Sequence, residues 1–332
     1  MSSSSDNRIS RRFAVQGFAG LAFGLVAAPH LGLAQATPPA ATPVSNRFPV
    51  TLTHAMGDTA INERPARVVA ATDFVDLDYL LTLGIEPVLY GFSNAWESGA
   101  MPWQSAAANI PTFDASADLD LETIAAARPD LIVTMPMYVD SWYETLSAIA
   151  PTIVLDWSTP WRDGLRLVAR ATGEEQVAEE QIALADALIA EATADLQPAA
   201  GMPMMVGFQY GDAFYIWGDE SGGGALFQEL GLDFVSGADP ILQQTSLEQA
   251  SLLAPAEILL SVDSDPAGIA LQEASPLFQS LPAVQRGGYG VLSVVQSRAL
   301  ADGASPLSLA WVLPDFVALL LQLANGEGTS LP

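Results

Sequence analysis

Leu83-Gly84-Ile85-Glu86-Pro87-Val88 and Leu230-Gly231-Leu232-Asp233-Phe234-Val235 are two renderings of one motif. The first is followed by Leu121-Glu122, Pro129 and the apolar run Leu131-Ile132-Val133. The second is followed by Leu247-Glu248, Pro255 and Ile258-Leu259-Leu260. Glutamate and proline are seven residues apart both times, and the two glutamates are 126 residues apart. A repeat of this kind implies two similar lobes, each with one glutamate at a matched place. The cleft between such lobes is the expected ligand site.

Working outward, each copy sits in alternating strands and helices. In the first lobe, Phe48 to His54 alternates like a strand and Arg67 to Ala71 reads as a short buried one. Asp73 to Leu83 is an expected helix stopped by Gly84, and Val88 to Gly91 is a strand. Leu121 to Ala127 is a short helix, Leu131 to Thr134 a strand, Ser141 to Ala150 a helix and Thr152 to Leu155 a strand. Glu174 to Leu196 contains no Gly or Pro and has apolar residues at helical spacing, so it reads as a stiff connector. The second lobe repeats the alternation. Its expected strands are Met204–Phe208, Phe214–Trp217, Ile258–Val262 and Val291–Val294; its helices are Ala225–Leu230, Leu247–Leu253 and Pro276–Leu281. Pro306 to Leu323 is a closing helix kinked or broken at Pro314. The fold class is α/β: two Rossmann-like lobes with parallel sheets, joined by one long rigid helix. The boundaries are 48–160 for the first lobe, 161–198 for the connector, 199–325 for the second lobe and 326–332 for a tail. The Gly-to-Glu spacing is 38 residues in the first copy and 17 in the second, so the first lobe carries an extra loop with Trp96 and Trp103, a potential lid.

The start of the chain reads as an export signal. Arg11-Arg12 precede the apolar stretch Phe13 to Ala28, and Ala34-Gln35-Ala36 offers small-x-small cleavage. The paired arginines favour the twin-arginine route, although Ala14 stands where a bulky apolar residue is common. Residues 1–36 are thus a signal peptide and 37–47 a flexible lead-in. No other segment reads as apolar for long enough to cross a membrane.

Composition narrows the function. The 332 residues are 50% hydrophobic, with net charge −26, no lysine and twelve arginines. Without residues 1–36, which hold Arg8, Arg11, Arg12 and Asp6, the remainder carries −28. Nucleic-acid binding is excluded by this acidity. Cysteine is absent, which removes disulfides, thiolate chemistry and a lipid-anchor cysteine. His54 is the one histidine outside the signal and reads as a strand or surface residue, so neither a histidine metal site nor a triad is available. Gly222-Gly223-Gly224 lacks a dinucleotide fingerprint and reads as a flexible loop on the cleft edge.

Aromatics give the better signal. Trp96, Trp103, Tyr138, Trp142, Trp157, Trp161, Tyr210, Tyr215 and Trp217 fall mostly at expected strand ends or in the loops beyond them. Ligands of open α/β sheets bind just past those ends. Of these, Trp96, Trp103, Tyr138, Trp157, Trp161, Tyr210 and Trp217 are the candidate ligand contacts, with ordinary packing as the alternative for each. Arg162 and Arg298 follow strands and are candidates to meet an anionic ligand. Arg166 and Arg170 share a helical face with Arg162 and read as salt-bridged; Arg67 and Arg128 read as structural.

The ordered motifs His54-Ala55-Met56-Gly57-Asp58-Thr59, Arg64-Pro65-Ala66-Arg67-Val68-Val69, Leu80 to Val88, Asp120-Leu121-Glu122-Thr123-Ile124 and Arg128-Pro129-Asp130-Leu131-Ile132 resemble the solute-binding proteins of ABC importers for ferric siderophores. The resemblance covers residues 48–325. It implies a shallow inter-lobe cleft, a small hinge motion and no catalysis. It also implies that Glu122 and Glu248 dock on arginines of a membrane permease; exposed acids starting a helix are the alternative. Iron is expected only as part of the bound chelate, with no other cofactor or metal, and the protein is expected to be a monomer. The alternatives are a cobalamin or haem receptor of the same fold, an exported enzyme on this scaffold, and an adhesion protein.

Overall fold

The computed structural model describes residues 48–93, 101–116, 119–136, 139–301, 304–329 and 331. The expected signal and lead-in, and the candidates Trp96 and Tyr138, lie outside these described residues.

A hairpin of β1 (Val50–His54) and β2 (Gly57–Ile61) opens the described chain. The first sheet has the order β5-β4-β3-β6-β7 and is parallel throughout. Its strands are β3 (Val68–Ala70), β4 (Leu89–Phe92), β5 (Thr112–Asp114), β6 (Leu131–Thr134) and β7 (Thr152–Val154). Helices α1 (Val75–Thr82), α2 (Leu121–Ala126) and α3 (Val139–Ile149) make its crossovers. The second sheet runs β11-β9-β8-β12-β13, with β10 beside β8. Here β8 is Pro203–Tyr210, β9 Ala213–Trp217, β10 Asp233–Phe234, β11 Leu242–Thr245, β12 Ile258–Asp263 and β13 Tyr289–Ser293. β10, β12 and β13 continue the parallel pattern, whereas β9 and β11 are antiparallel.

The repeated motif builds the same corner in both lobes. Gly84 and Gly231 end α1 and α6 (Gly222–Glu229) at φ +74° and +77°. That left-handed conformation costs a glycine little and other residues more. The helix ends are then sealed identically: Ile85 N–H donates to Leu80 and Leu232 N–H to Phe227. Each motif next feeds a strand onto the first strand of its sheet. Val88 N–H bonds the Val68 carbonyl and Val235 N–H the Met204 carbonyl, both at 2.8 Å. The copies diverge only beyond that point. β4 runs four residues, but β10 stops after two because β9 occupies the rest of the β8 edge.

The expected long helix Glu174–Leu196 is α5 (Glu175–Asp195); within the connector 161–198 it is preceded by α4 (Trp161–Thr172), the two divided by Gly173 at φ +76°. Ala178, Ile182, Ala185, Ile189 and Ala192 form the buried stripe of α5, which packs on α4 and α11 (Pro306–Ala324). The spacing of four and three keeps that stripe on one face, and its alanines admit close approach. The closing helix is not broken at Pro314. That residue is on the exposed side, as is Ala310, the residue whose carbonyl a proline at 314 cannot bond. Pro306–Ala324 is also long and apolar enough to cross a membrane by composition, contrary to the sequence expectation. In this fold Leu309, Val312, Leu313, Phe316 and Leu320 of that helix are buried in the main core. That core is continuous across both lobes: it joins Val68, Leu77 and Leu131 to Val206, Leu260 and Phe316.

Three smaller differences have local causes. The described part of the first-lobe insert is a 3-10 helix (Pro102–Ala107) and the edge strand β5, integrated into the fold. Leu247–Leu253 is likewise a 3-10 helix. The expected helix Pro276–Leu281 is α8 (Pro276–Gln279), and a separate short helix, α9 (Pro282–Gln285), follows it with Pro282 at its first position. Between β12 and α8 lies α7 (Pro266–Ala274), and α10 (Val294–Ala301) follows β13 directly.

Candidate functional site

A cleft of about 460 Å³ opens beyond the carboxyl ends of β7, β8, β12 and β13. Its largest wall is one face of the antiparallel extension of the second sheet. Side chains alternate across a strand, and directly paired residues share a face. Phe208 pairs with Tyr215, and Tyr210 lies two residues further along β8. Trp217, two beyond Tyr215, pairs with Leu242 on β11. Period two and pairing therefore place Phe208, Tyr210, Tyr215, Trp217 and Leu242 on a common surface, and all five line the cleft. Phe208 and Tyr215 stack at 5.7 Å. The reverse face holds Phe214 and Ile216, which are buried in a second core cluster.

Trp157, following β7, faces this wall from the first lobe and meets Phe74 edge-on at 5.9 Å. Trp157, Tyr210, Ile241 and Leu242 are 41 to 47% exposed. Clustered large apolar groups left in water mark a binding surface.

The glycine triplet explains how Trp217 is held. Gly222–Gly224 form the first turn of α6, capped by the Ser221 hydroxyl, which accepts from Gly224 N–H at 3.0 Å. A Cβ on Gly223 would lie 2.2 Å from the Trp217 ring. Only glycine lets the helix approach this closely, and Trp217 is clamped against Phe227 at 6.0 Å. The triplet is a packing device on the cleft wall rather than the flexible loop expected.

Beneath the cleft runs a polar seam joining the lobes. Arg298 of α10 is 7% exposed; its guanidinium lies 3.7 Å from Asp73 and 4.5 Å over the Phe74 ring. Asp78, on α1, accepts from Trp103 Nε1 at 2.8 Å, Gln104 Nε2 at 2.7 Å and the Ser305 hydroxyl at 2.9 Å. Ser305 is the N-cap of α11, so one carboxylate links the two lobes. Asp76 accepts from the Thr72 backbone and hydroxyl at 2.7 and 2.5 Å. Burial pushes Asp76 up to about 7 and Asp78 up to about 6, against the pull of these donors. Asp73 is also raised by burial, with Arg298 opposing.

Of the sequence candidates, Trp157, Tyr210, Trp217 and Arg298 come together in the cleft. Trp103 does not line it; its ring lies 5.3 Å from Trp311 and its N–H is spent on Asp78. Trp161 is 8% exposed, packed in the core under the Arg162 guanidinium at 4.3 Å. Arg162 was expected to meet an anionic ligand. Instead it bridges Asp186 of α5, at 2.8 Å, and Glu229 of α6. It begins α4 on the face turned to those helices, which position in the sequence alone did not reveal. Sequence reasoning missed Phe208, Glu220, Ile241 and Leu242. The alternation Phe208-x-Tyr210 and Tyr215-x-Trp217 was the available signal. Glu122 and Glu248 are both exposed in the first turn after a helix N-cap, Asp120 and Ser246 respectively.

Two α/β lobes, one with a parallel and one with a mixed sheet, around an aromatic cleft are the architecture of a bilobal binding protein. The chain belongs to the periplasmic binding protein family, whose model matches residues 68–288. It is 26% identical over 235 residues to the Fe(3+)-citrate-binding protein YfmC of Bacillus subtilis, covering 70% of this chain and 74% of that one. It is 26% identical over 193 residues to the ferric-anguibactin-binding protein FatB of Vibrio anguillarum, covering 55% and 58%. The crystal structure of the iron uptake ABC transporter substrate-binding protein PiaA from Streptococcus pneumoniae matches with a TM-score of 0.69 at 25% identity, covering 83% of this chain and all of that one.

Proposed function

We propose that this protein is the extracytoplasmic substrate-binding component of an ABC importer, capturing a ferric siderophore between its lobes and handing it to a membrane permease. The observation that carries this reading is the apolar, aromatic cleft at the strand ends of a family member whose relatives YfmC and FatB bind ferric chelates. Aromatic faces would cover the organic shell of the chelate, and the siderophore would supply every iron ligand. The protein performs no chemistry on its cargo. Export would follow from residues 1–36, removed at Ala36, and Glu122 and Glu248 would be the docking points on the permease.

The test is co-elution on gel filtration. Purified protein is mixed with radioiron-labelled ferric hydroxamate, catecholate and citrate chelates, and in parallel with cyanocobalamin and haemin. At least one ferric chelate is expected to co-elute with the protein. Retention of none refutes the reading; retention of cobalamin or haemin alone reassigns the cargo.

A further inference from the structure

Given that receptor reading, we infer that the ligand is an electroneutral ferric trihydroxamate, and that the cleft selects against polyanionic chelates such as ferric citrates and catecholates. Three singly charged hydroxamates cancel the charge of ferric iron, whereas three doubly charged catecholates leave a trianion. The two classes therefore ask different things of a pocket. A trianion stripped of water needs several converging cations, and a neutral chelate needs apolar cover and a few polar groups.

The supply of cations in this chain can be traced residue by residue. Twelve arginines and no lysine are present, and four of the arginines (Arg8, Arg11, Arg12 and Arg47) precede the described residues. The undescribed stretches after residue 48 contain no Arg or Lys. Arg64 pairs with Glu174, and Arg67 donates to the carbonyls of Ala127 and Arg128. Arg128 stands in the loop between α2 and β6, at the opposite end of the first sheet from the cleft. Arg162 is held by Asp186 and Glu229. Arg166 and Arg170 border a separate hollow beside His54, where Arg166 pairs with Glu179 at 2.7 Å. Arg286 donates to the Glu257 carbonyl at 2.9 Å.

That leaves Arg298 as the one cation lining the cleft among the described residues, and it is engaged with Asp73 at 3.7 Å. Glu220 lines the same cleft and adds a negative charge. The local sum is therefore not positive, and it sits in a chain of net charge −26 whose field repels anions at a distance. The rest of the lining is aromatic and aliphatic, with the hydroxyls of Ser264 and Ser297 and the phenols of Tyr210 and Tyr215 as polar contacts for uncharged oxygens, the Ser221 hydroxyl being spent on the Gly218 carbonyl.

The experiment titrates purified protein with ferrichrome (an uncharged trihydroxamate), ferric enterobactin (a trianionic tris-catecholate) and ferric citrate, following tryptophan fluorescence. Ferrichrome is expected to bind roughly 100-fold or more tighter than either anion, the scale set by a buried charge that lacks its partner. Ferrichrome affinity should change less than about twofold between about 0.05 and 0.5 M salt, because no charge pairing is screened. Glu220→Gln should narrow the gap by about threefold or more by strengthening the anionic ligands. Equal or tighter binding of ferric enterobactin or ferric citrate by the wild-type protein overturns this inference while leaving the receptor reading intact. Binding of none of the three sinks both.

Discussion

Replacing Asp78 by Asn should change how stability depends on pH, in a direction set by the buried seam. Asp78 is 3% exposed, and burial lifts its pKa from 3.8 to about 6. The folded chain thus holds that proton more tightly than the unfolded one. The corresponding stability is present in full below about pH 4 and is lost as pH rises through about 6. A shift of about two units corresponds to about 3 kcal/mol. Asparagine can set its carbonyl where Trp103 and Ser305 both donate; its amide then faces Gln104 Nε2, a loss that does not vary with pH and so leaves the pH dependence of the difference intact. It never ionises. The free-energy difference between variant and wild type should therefore move by about 3 kcal/mol in favour of the variant between pH 4 and pH 8. Urea unfolding at stepped pH, followed by tryptophan fluorescence, measures it. Using the difference removes Asp76 and His54, which are common to both proteins. His54 pulls the other way, since burial lowers its pKa. Asp120, Asp239 and Asp265, held low by the hydrogen bonds they accept, contribute their stability in full above about pH 4 and so add no pH dependence there. A constant difference across the range would show that Asp78 carries no burial cost, and the account of the seam would fall.

Gly223→Ala puts a Cβ 2.2 Å from the Trp217 ring, which Phe227 prevents from retreating, so it should cost about 1–3 kcal/mol and weaken ligand binding; denaturation and fluorescence titration check both effects. Trp157→Ala removes a side chain that is 41% exposed and packs edge-on against Phe74, so it should cost about 1–3 kcal/mol of stability while ligand affinity falls about tenfold or more. Arg162→Ala breaks a partly exposed bridge and should cost no more than about 1 kcal/mol, with ligand affinity within about twofold of wild type. Reversing charge at both Glu122 and Glu248 should abolish uptake by whole cells while leaving affinity in solution unchanged; a fall in affinity would place those glutamates wrongly.

What the sequence disclosed tracks how local the physical cause is. Gly84 and Gly231 were readable because a left-handed helix end is a property of a few adjacent residues. The lobe architecture followed from them. The truncation of β10 was not readable, since it depends on β9 folding back onto β8 from outside the repeat. Arg162 misled for a related reason: its position after a strand was correct, but its partners lie on α5 and α6. Asp76 and Asp78 gave no signal in a chain with 38 acidic residues, because burial is a tertiary property. The cleft aromatics were partly legible, as Trp157, Tyr210 and Trp217 show, yet Ile241 and Leu242 join them only through the β9–β11 pairing.

The pleat of the β8–β9–β11 extension has a consequence for how such a protein can change its cargo. Odd and even positions on these strands answer to different demands. Phe208, Tyr210, Tyr215 and Leu242 line the cleft, while Phe214 and Ile216 meet the core. A lineage can therefore rewrite the first set one residue at a time, testing new chelates, without loosening the second. Trp217 is the exception, because it serves the cleft and the α6 packing together. Substitutions that retune recognition should accumulate freely around it and stop at it, and a library randomised at alternate positions of this hairpin should remain largely folded while diverging in what it captures.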